Sequence, residues 1–223
     1  MRQVAVSWTG LVDRVVGLST QHHEHKRFPE KKAFMLDNPI RKLFSPPERL
    51  ISKINIGSND VVIDFGCGPG FHSIPLAKLA QRMIGIDISP RMLERAARHA
   101  EQEGVTIEFL QSDGTEIRLE DGVADLILLN HVFHEIRDKP AVLGEFYRIL
   151  KSLGRVAIVE RTRKGRFPWN NIGPPVIDEK ELVRGIQQDG FKFAGMIPYG
   201  NSSIVFAQKV VPSSQSDKQP NYA

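Results

Sequence analysis

The chain has 223 residues, 41% apolar and 25% charged, a formal net charge of +4 and an isoelectric point near 9.2. That is an ordinary globular composition with enough chain for one sizeable core, and its mild basicity is only a weak argument for an acidic partner such as nucleic acid. The single cysteine, Cys67, excludes a disulfide framework and a cysteine-built zinc site, and no apolar run approaches the roughly 20 residues of a membrane helix.

Residues 1–45 read as an irregular lead-in. Asp13 and Arg14 interrupt its first apolar stretch, which argues against a signal peptide. His22, His23 and His25 follow in "HHEHKR"; adjacent histidines in a flexible segment rarely preorganise a metal site, so no metal is expected. From about Pro46 the pattern becomes regular. "SPPERLISKI" predicts a short helix with a serine cap and proline in its first turn. "DVVIDF" predicts a buried strand, ending in the glycine turn "GCGPG". "FHSIPLAKLAQ" predicts a helix in which Pro75 is tolerable only near the first turn. "RMIGIDI" predicts a second strand, and "SPRMLERAARHAEQEG" a helix capped by Ser89, opened by Pro90 and stopped by Gly104. "TIEFLQSD" and "ADLILLNHVF" predict the third and fourth strands. "DKPAVLGEFYRILKSLG" predicts a helix from an Asp138 cap to Gly154, and "GRVAIVER" a fifth strand. "DEKELVRGIQQDG" predicts a helix ending at Gly190. "FKFAGMIPYG" and "SSIVFAQKV" predict two strands joined by a hairpin turn at "YGNS". The tail 211–223 is polar and predicts disorder.

Strands alternating with helices imply an α/β fold: a Rossmann-like three-layer sandwich whose seven-stranded sheet is mostly parallel, with an antiparallel C-terminal strand. The domain covers 46–210. In such sheets ligands bind beyond the carboxyl ends of the strands, beside the first one. The residues at those ends are Asp64 with Gly66, Gly68 and Gly70, then Asp87, Asp113, Asn130 and Glu160.

These ends are acidic, which argues against a phosphate ligand. A pyrophosphate at the glycine turn would meet Asp64, and two like charges about 4 Å apart repel by about 4 kcal/mol at a surface-like dielectric. The spacing of Gly66, Gly68 and Gly70 is G-x-G-x-G, not the dinucleotide G-x-G-x-x-G, and no G-K-[ST] follows. A cationic adenosine without phosphate fits instead. The glycines permit close backbone approach. Asp64 attracts an ammonium group, Asp87 accepts from ribose hydroxyls, and Asp113 accepts from the adenine amino group. S-adenosylmethionine is such a ligand.

"VVIDFGCGPG", "GIDISPRML", "QSDGTEI" and "ADLILLNHVFHEIRDKPAVLGEFYRILKSLGRVAIVE" resemble, in order, the motifs of class I S-adenosylmethionine-dependent methyltransferases. The likeness is closest to the ubiquinone/menaquinone C-methyltransferase type, and it runs from about Pro46 to Lys209. The resemblance implies that Asp64, Gly66, Gly68 and Gly70 line the methionine side. It further implies that Asp87 and Ile88 hold ribose and adenine, that Asp113 and Gly114 meet adenine, and that Asn130 faces the methionine moiety through its backbone. Cys67, inside the turn, belongs to this cofactor-binding set as a packing residue, not a nucleophile. "KKAFMLDNPIRKLFSPPERL" is similar to a segment that often folds over the cofactor as a lid. Asp113 has a simpler alternative, since Asp-Gly is a common turn.

His131 and His134 follow the fourth strand, beside the expected acceptor. Either is a candidate general base, and the alternative is that they only shape the pocket. Glu160 is placed to contact the acceptor or the fourth-strand loop. Arg161, Arg163, Lys164 and Arg166 could hold an anionic acceptor or form a solvated basic loop, and Phe167 and Trp169 could wall an apolar acceptor. The fourth strand lacks the Asn/Asp-Pro-Pro-Tyr/Phe of base N-methyltransferases. The lone cysteine argues against the 5-methylcytosine and arsenite routes. The expected function is therefore O- or C-methylation of a small molecule in the cytoplasm, with S-adenosylhomocysteine as product. An RNA or protein methyltransferase of the same fold and a non-catalytic S-adenosylmethionine-binding module are the alternatives. A homodimer is compatible with this.

Overall fold

The computed structural model describes residues 46–164, 174–187 and 190–210. The lead-in with His22, His23 and His25, the segment holding Arg166, Phe167 and Trp169, and the tail lie outside the described residues. Strands β1 (Val61–Phe65), β2 (Arg82–Asp87), β3 (Glu108–Gln111), β4 (Ala124–Asn130), β5 (Leu150–Arg161), β6 (Phe191–Tyr199) and β7 (Ser202–Lys209) form one sheet of seven strands in the order β3-β2-β1-β4-β5-β7-β6. The pairings from β3 to β5 are all parallel. Strand β7 is antiparallel to both neighbours, so it is the antiparallel C-terminal strand expected. The order reverses beside β1, with β2 on one side and β4 on the other. That places a crevice at the carboxyl end of β1.

Helices α1 (Pro47–Ile54), α2 (Ser73–Ala77), α3 (Pro90–Gln102), α4 (Lys139–Ile149) and α5 (Glu179–Gln187) flank the sheet. All five residues of β1 are buried because helices cover both of its faces. Ile63 and Phe65 join one core layer with Phe146 and Ile149, and the Phe65 and Phe146 rings meet edge-to-face at 5.0 Å. Val62 joins the other layer with Leu50, Ile54 and Leu76. The helical spacing of Leu50, Ile51 and Ile54 turns one stripe of α1 onto that layer.

Three local expectations are corrected. Helix α2 is only five residues long, with Pro75 at its third position, inside the first turn where a missing N–H is tolerated. Helix α4 stops at Ile149 rather than Gly154, because Leu150 already pairs with Ala124 in the sheet. Gly154 therefore lies within β5, where an added Cβ would come 2.9 Å from the Lys151 carbonyl. The Ser89 side chain makes no cap bond; the Ser89 N–H donates to Asp87 Oδ1 at 2.8 Å instead. Asp138 does cap α4, accepting from the Ala141 N–H at 3.0 Å. No helix among the described residues is long and apolar enough to cross a membrane.

Candidate functional site

The carboxyl ends of β1, β2, β4 and β5 come together around the glycine turn. Gly66, Gly68 and Gly70 all have left-handed backbones, with φ of +73°, +53° and +90°. The N–H groups of Gly66 and Cys67 donate to the Ile86 carbonyl at 2.7 and 3.0 Å, which folds the turn over the end of β2. A Cβ on Gly66 would lie 2.4 Å from Val132 Cγ2, so the turn after β4 packs directly on that glycine. A Cβ on Gly68 would meet nothing within 4 Å among the described residues. Gly68 thus presents bare backbone to open space.

Asp64 is buried, and its Oδ2 accepts from the Ser73 hydroxyl at 2.5 Å. Burial pushes its carboxyl up to about 6; the Ser73 bond opposes this and the nearby Asp87 charge adds to it. Asp87 ends β2. Its Oδ2 accepts from the Gly68 N–H at 2.8 Å and its Oδ1 from the Ser89 N–H at 2.8 Å. Burial also raises Asp87, against those backbone bonds. Neither carboxylate has an ion-pair partner among the described residues. Cys67 is buried, and burial with the charges of Asp64 and Asp87 pushes its thiol well up, which makes it inert at neutral pH.

Ile88 is 39% exposed, a large apolar side chain left open immediately after Asp87. Asp113 forms its own turn, with Oδ1 accepting from the Thr115 N–H at 3.0 Å and the Thr115 hydroxyl at 2.8 Å. Gly114, at φ +94°, is glycine for a packing reason: a Cβ there would sit 2.6 Å from Phe65 Cζ.

The other half of the site hangs from β4 and β5. The Asn130 amide lies 3.4 Å from His72 Nδ1. His131 adopts φ +58°, and its N–H donates to the Val159 carbonyl at 2.9 Å. His134 sits in a single 3₁₀ turn, Phe133–Glu135. Its Nδ1 is 3.1 and 3.0 Å from the two oxygens of Glu160, and its backbone N–H donates to Glu160 Oε1 at 3.1 Å. Glu160 is fully buried. Burial alone would raise Glu160, but His131 and His134 outweigh it and hold the carboxyl at about 2. Burial alone would lower His134, but the Glu160 bond and charge win and raise it. Glu135 is raised by burial, with His134 opposing and the charges of Glu160 and Asp87 adding, so it shares the field of both halves. Arg161 is engaged elsewhere: its guanidinium donates to the carbonyls of Arg163 and Pro174, and Arg163 lies 3.9 Å from Glu179. Ser73, His72 and Glu135 were not singled out by the sequence. Ser73 lies inside a predicted helix with no motif of its own to mark it, and Glu135 lies beyond the strand end.

The arrangement suits a cationic, phosphate-free nucleoside: acids without cation partners among the described residues, bare glycine backbone and an open apolar side chain. A family model described as a methyltransferase domain matches residues 56–209. The chain belongs to that methyltransferase-domain family. It is 32% identical to the demethylmenaquinone methyltransferase of Thermus thermophilus, over 44% of this chain and 46% of that protein. It is 26% identical to the ubiquinone biosynthesis O-methyltransferase of Rhodopseudomonas palustris, over 72% of this chain and 60% of that one. The chain thus spans less than two thirds of these curated relatives. A solved S-adenosylmethionine-dependent methyltransferase from Aquifex aeolicus superposes with a TM-score of 0.74 at 26% identity, covering 82% of this chain and 100% of that one. The expected class I methyltransferase family and fold are both borne out.

Proposed function

We propose that this chain is an S-adenosylmethionine-dependent methyltransferase that methylates a small molecule at oxygen or carbon, releasing S-adenosylhomocysteine. The observation that carries the reading is the pair Asp64 and Asp87, two carboxylates without cation partners among the described residues, beside the open backbone of Gly68. Resemblance to quinone-pathway methyltransferases supports a small-molecule acceptor.

An ionised carboxylate offers about four lone-pair sites, and Asp87 uses two on Gly68 and Ser89. The remaining two accept the ribose hydroxyls. Ile88 borders the adenine. Asp113 already bonds its own turn and Gly114 is set by Phe65, so these two contribute to adenine binding through backbone. Gly66, Gly68 and Gly70, with Cys67 packed beneath, form the methionine side together with the Asn130 backbone. Asp64 supplies negative potential for a cation. The cofactor, when bound, supplies a methyl group already activated on a positive sulfur. The protein's own work is alignment, water exclusion and, for a protic acceptor, removal of a proton by His134, with His131 as the adjacent second imidazole. Residues 46–210 are the cofactor domain and 1–45 its lead-in. The lone buried thiol suits a cytoplasmic setting.

Calorimetry with S-adenosylhomocysteine and with NAD tests this. Uptake of S-adenosylhomocysteine alone is expected, followed by methyl transfer to members of a panel of hydroxyl and C–H acid acceptors. Uptake of NAD and not of S-adenosylhomocysteine by folded protein would overturn it.

A further inference from the structure

We propose that Glu160 is a positioning residue: it holds His134 as the tautomer protonated on Nδ1 and thereby makes Nε2 the nitrogen that takes the acceptor's proton. The proton-transfer half of this statement rests on the methyl-transfer reading above. The pinning half is a property of the free protein.

A neutral imidazole has one donor nitrogen and one acceptor nitrogen, and which is which follows from the partner each one meets. Glu160 is fully buried and ionised, so it only accepts. Both of its oxygens lie within 3.1 Å of His134 Nδ1, so the proton belongs on Nδ1. The same carboxylate accepts the His134 backbone N–H at 3.1 Å, which fixes main chain and ring together. The next residue back on β5, Val159, accepts the His131 N–H at 2.9 Å. Two successive β5 residues therefore anchor the whole turn after β4. His131 Nδ1, 3.7 Å from Glu160 Oε2, is near enough to feel its charge and too far for a hydrogen bond. The carboxylate thus bonds His134 and merely faces His131.

With Nδ1 occupied, Nε2 keeps its lone pair. The step is a proton transfer. The acceptor's O–H or C–H bond breaks, the proton goes to Nε2 and the electron pair stays on the acceptor atom. The imidazolium so formed is balanced by Glu160. Among the described residues, the charged groups acting on this ring are Glu160 from β5, Glu135 at 3.7 Å from Nε2 and Lys139 from α4, with the His131 imidazole on the same turn facing Glu160. Glu160 and Glu135 favour the imidazolium, while Lys139 and burial oppose it.

Nitrogen-detected NMR of the full chain, free of cofactor, tests the pinning. In the wild type, neutral His134 should carry its proton on Nδ1 and titrate above the ordinary value of 6.5. Glu160→Gln keeps the shape and removes the charge. His134 should then titrate at lower pH, and the acidic limb of kcat against pH should move down with it while KM for S-adenosylmethionine stays the same. Glu160→Asp, which keeps the charge, should titrate between the two. A wild-type proton on Nε2, or identical titration in wild type and Glu160→Gln, overturns the proposal. Should Glu160→Gln fail to fold, the wild-type tautomer alone decides. Loss of this coupling in protein that still binds S-adenosylhomocysteine counts against the positioning role only. Intact coupling without such binding supports the pinning and counts against the proposed function instead.

Discussion

Replacing Asp87 with alanine probes the proposed cofactor site at its centre. In the free protein its two oxygens accept the Gly68 and Ser89 N–H groups, each at 2.8 Å. Alanine removes both acceptors. Bonds to a charged group contribute about 1.5–3 kcal/mol each. Burial already raises this carboxyl, so desolvation offsets part of that. A net loss of about 2–3 kcal/mol of unfolding free energy follows. Typical domains unfold with about 5–15 kcal/mol, so the variant stays folded. Affinity falls further, because two ribose bonds of the same kind are lost as well. Together these are about 3–6 kcal/mol, or roughly a hundredfold to ten-thousandfold in Kd. Asp87→Asn keeps one acceptor oxygen without the charge and should fall between. Urea unfolding and calorimetry with S-adenosylhomocysteine, on the same samples, measure both losses. A variant that loses the stability but keeps its affinity would refute the ribose assignment and leave Asp87 as a brace for the glycine turn.

Two glycine substitutions should separate fold from ligand. Gly68→Ala pays only the left-handed backbone cost of about 1–2 kcal/mol, a few degrees in Tm, yet should weaken S-adenosylhomocysteine binding at least roughly tenfold, because its Cβ enters the open space. Gly66→Ala adds a clash 2.4 Å from Val132 and should cost about 2–5 kcal/mol, partly recovered by Val132→Ala; thermal melts of the single and double variants check this. Asp64, at about 6 when folded against 3.8 otherwise, should make the protein less stable as pH rises from about 4 to 6. Across that window the unfolded chain has ionised and the folded chain has not, which amounts to about 3 kcal/mol. Asp64→Asn should remove that slope from urea midpoints measured between about pH 4 and 7. Glu160 acts with the opposite sign and lower down: its stabilisation is present above its ordinary 4.5 and is lost as pH falls toward about 2.

The strand ends could be found in the sequence because the alternation of strand and helix sends every parallel strand the same way. Asp64, Asp87, Asn130 and Glu160 each close an apolar run, so one edge collects them. What was not legible depends on contacts between segments far apart in the chain. Nothing around Gly66 announces that Val132 covers it, and nothing around Asp64 announces the Ser73 hydroxyl. The "LKSLG" segment carries helix-stopping signals at Lys151 and Gly154, yet it folds as strand because Leu150 has a partner in Ala124. Nothing around Gly114 announces that Phe65 packs where its Cβ would be. In each case a tertiary neighbour overrode a local preference.

Asp64 and Glu160 carry the argument for how the two halves of the site divide the work. Both are buried carboxylates near the carboxyl ends of parallel strands, β1 and β5, with β4 between them, and burial raises both. They nevertheless settle on opposite sides of the ordinary range, at about 6 and about 2. Burial is common to the two, so it does not explain the difference; the partners do. Asp64 has a neutral hydroxyl and a second acid nearby. Glu160 has two imidazoles. Among the described residues the β1–β2 carboxylates therefore have no positive partner, and a cation bound there would relieve them. On the β4–β5 side the Glu160 carboxylate is already bonded to the His134 imidazole, so that ring can take up a proton at little electrostatic cost because the counter-charge is in place. A cofactor cation bound beside Glu160 would compete with the imidazolium for that counter-charge, whereas beside Asp64 it has no such competitor among the described residues.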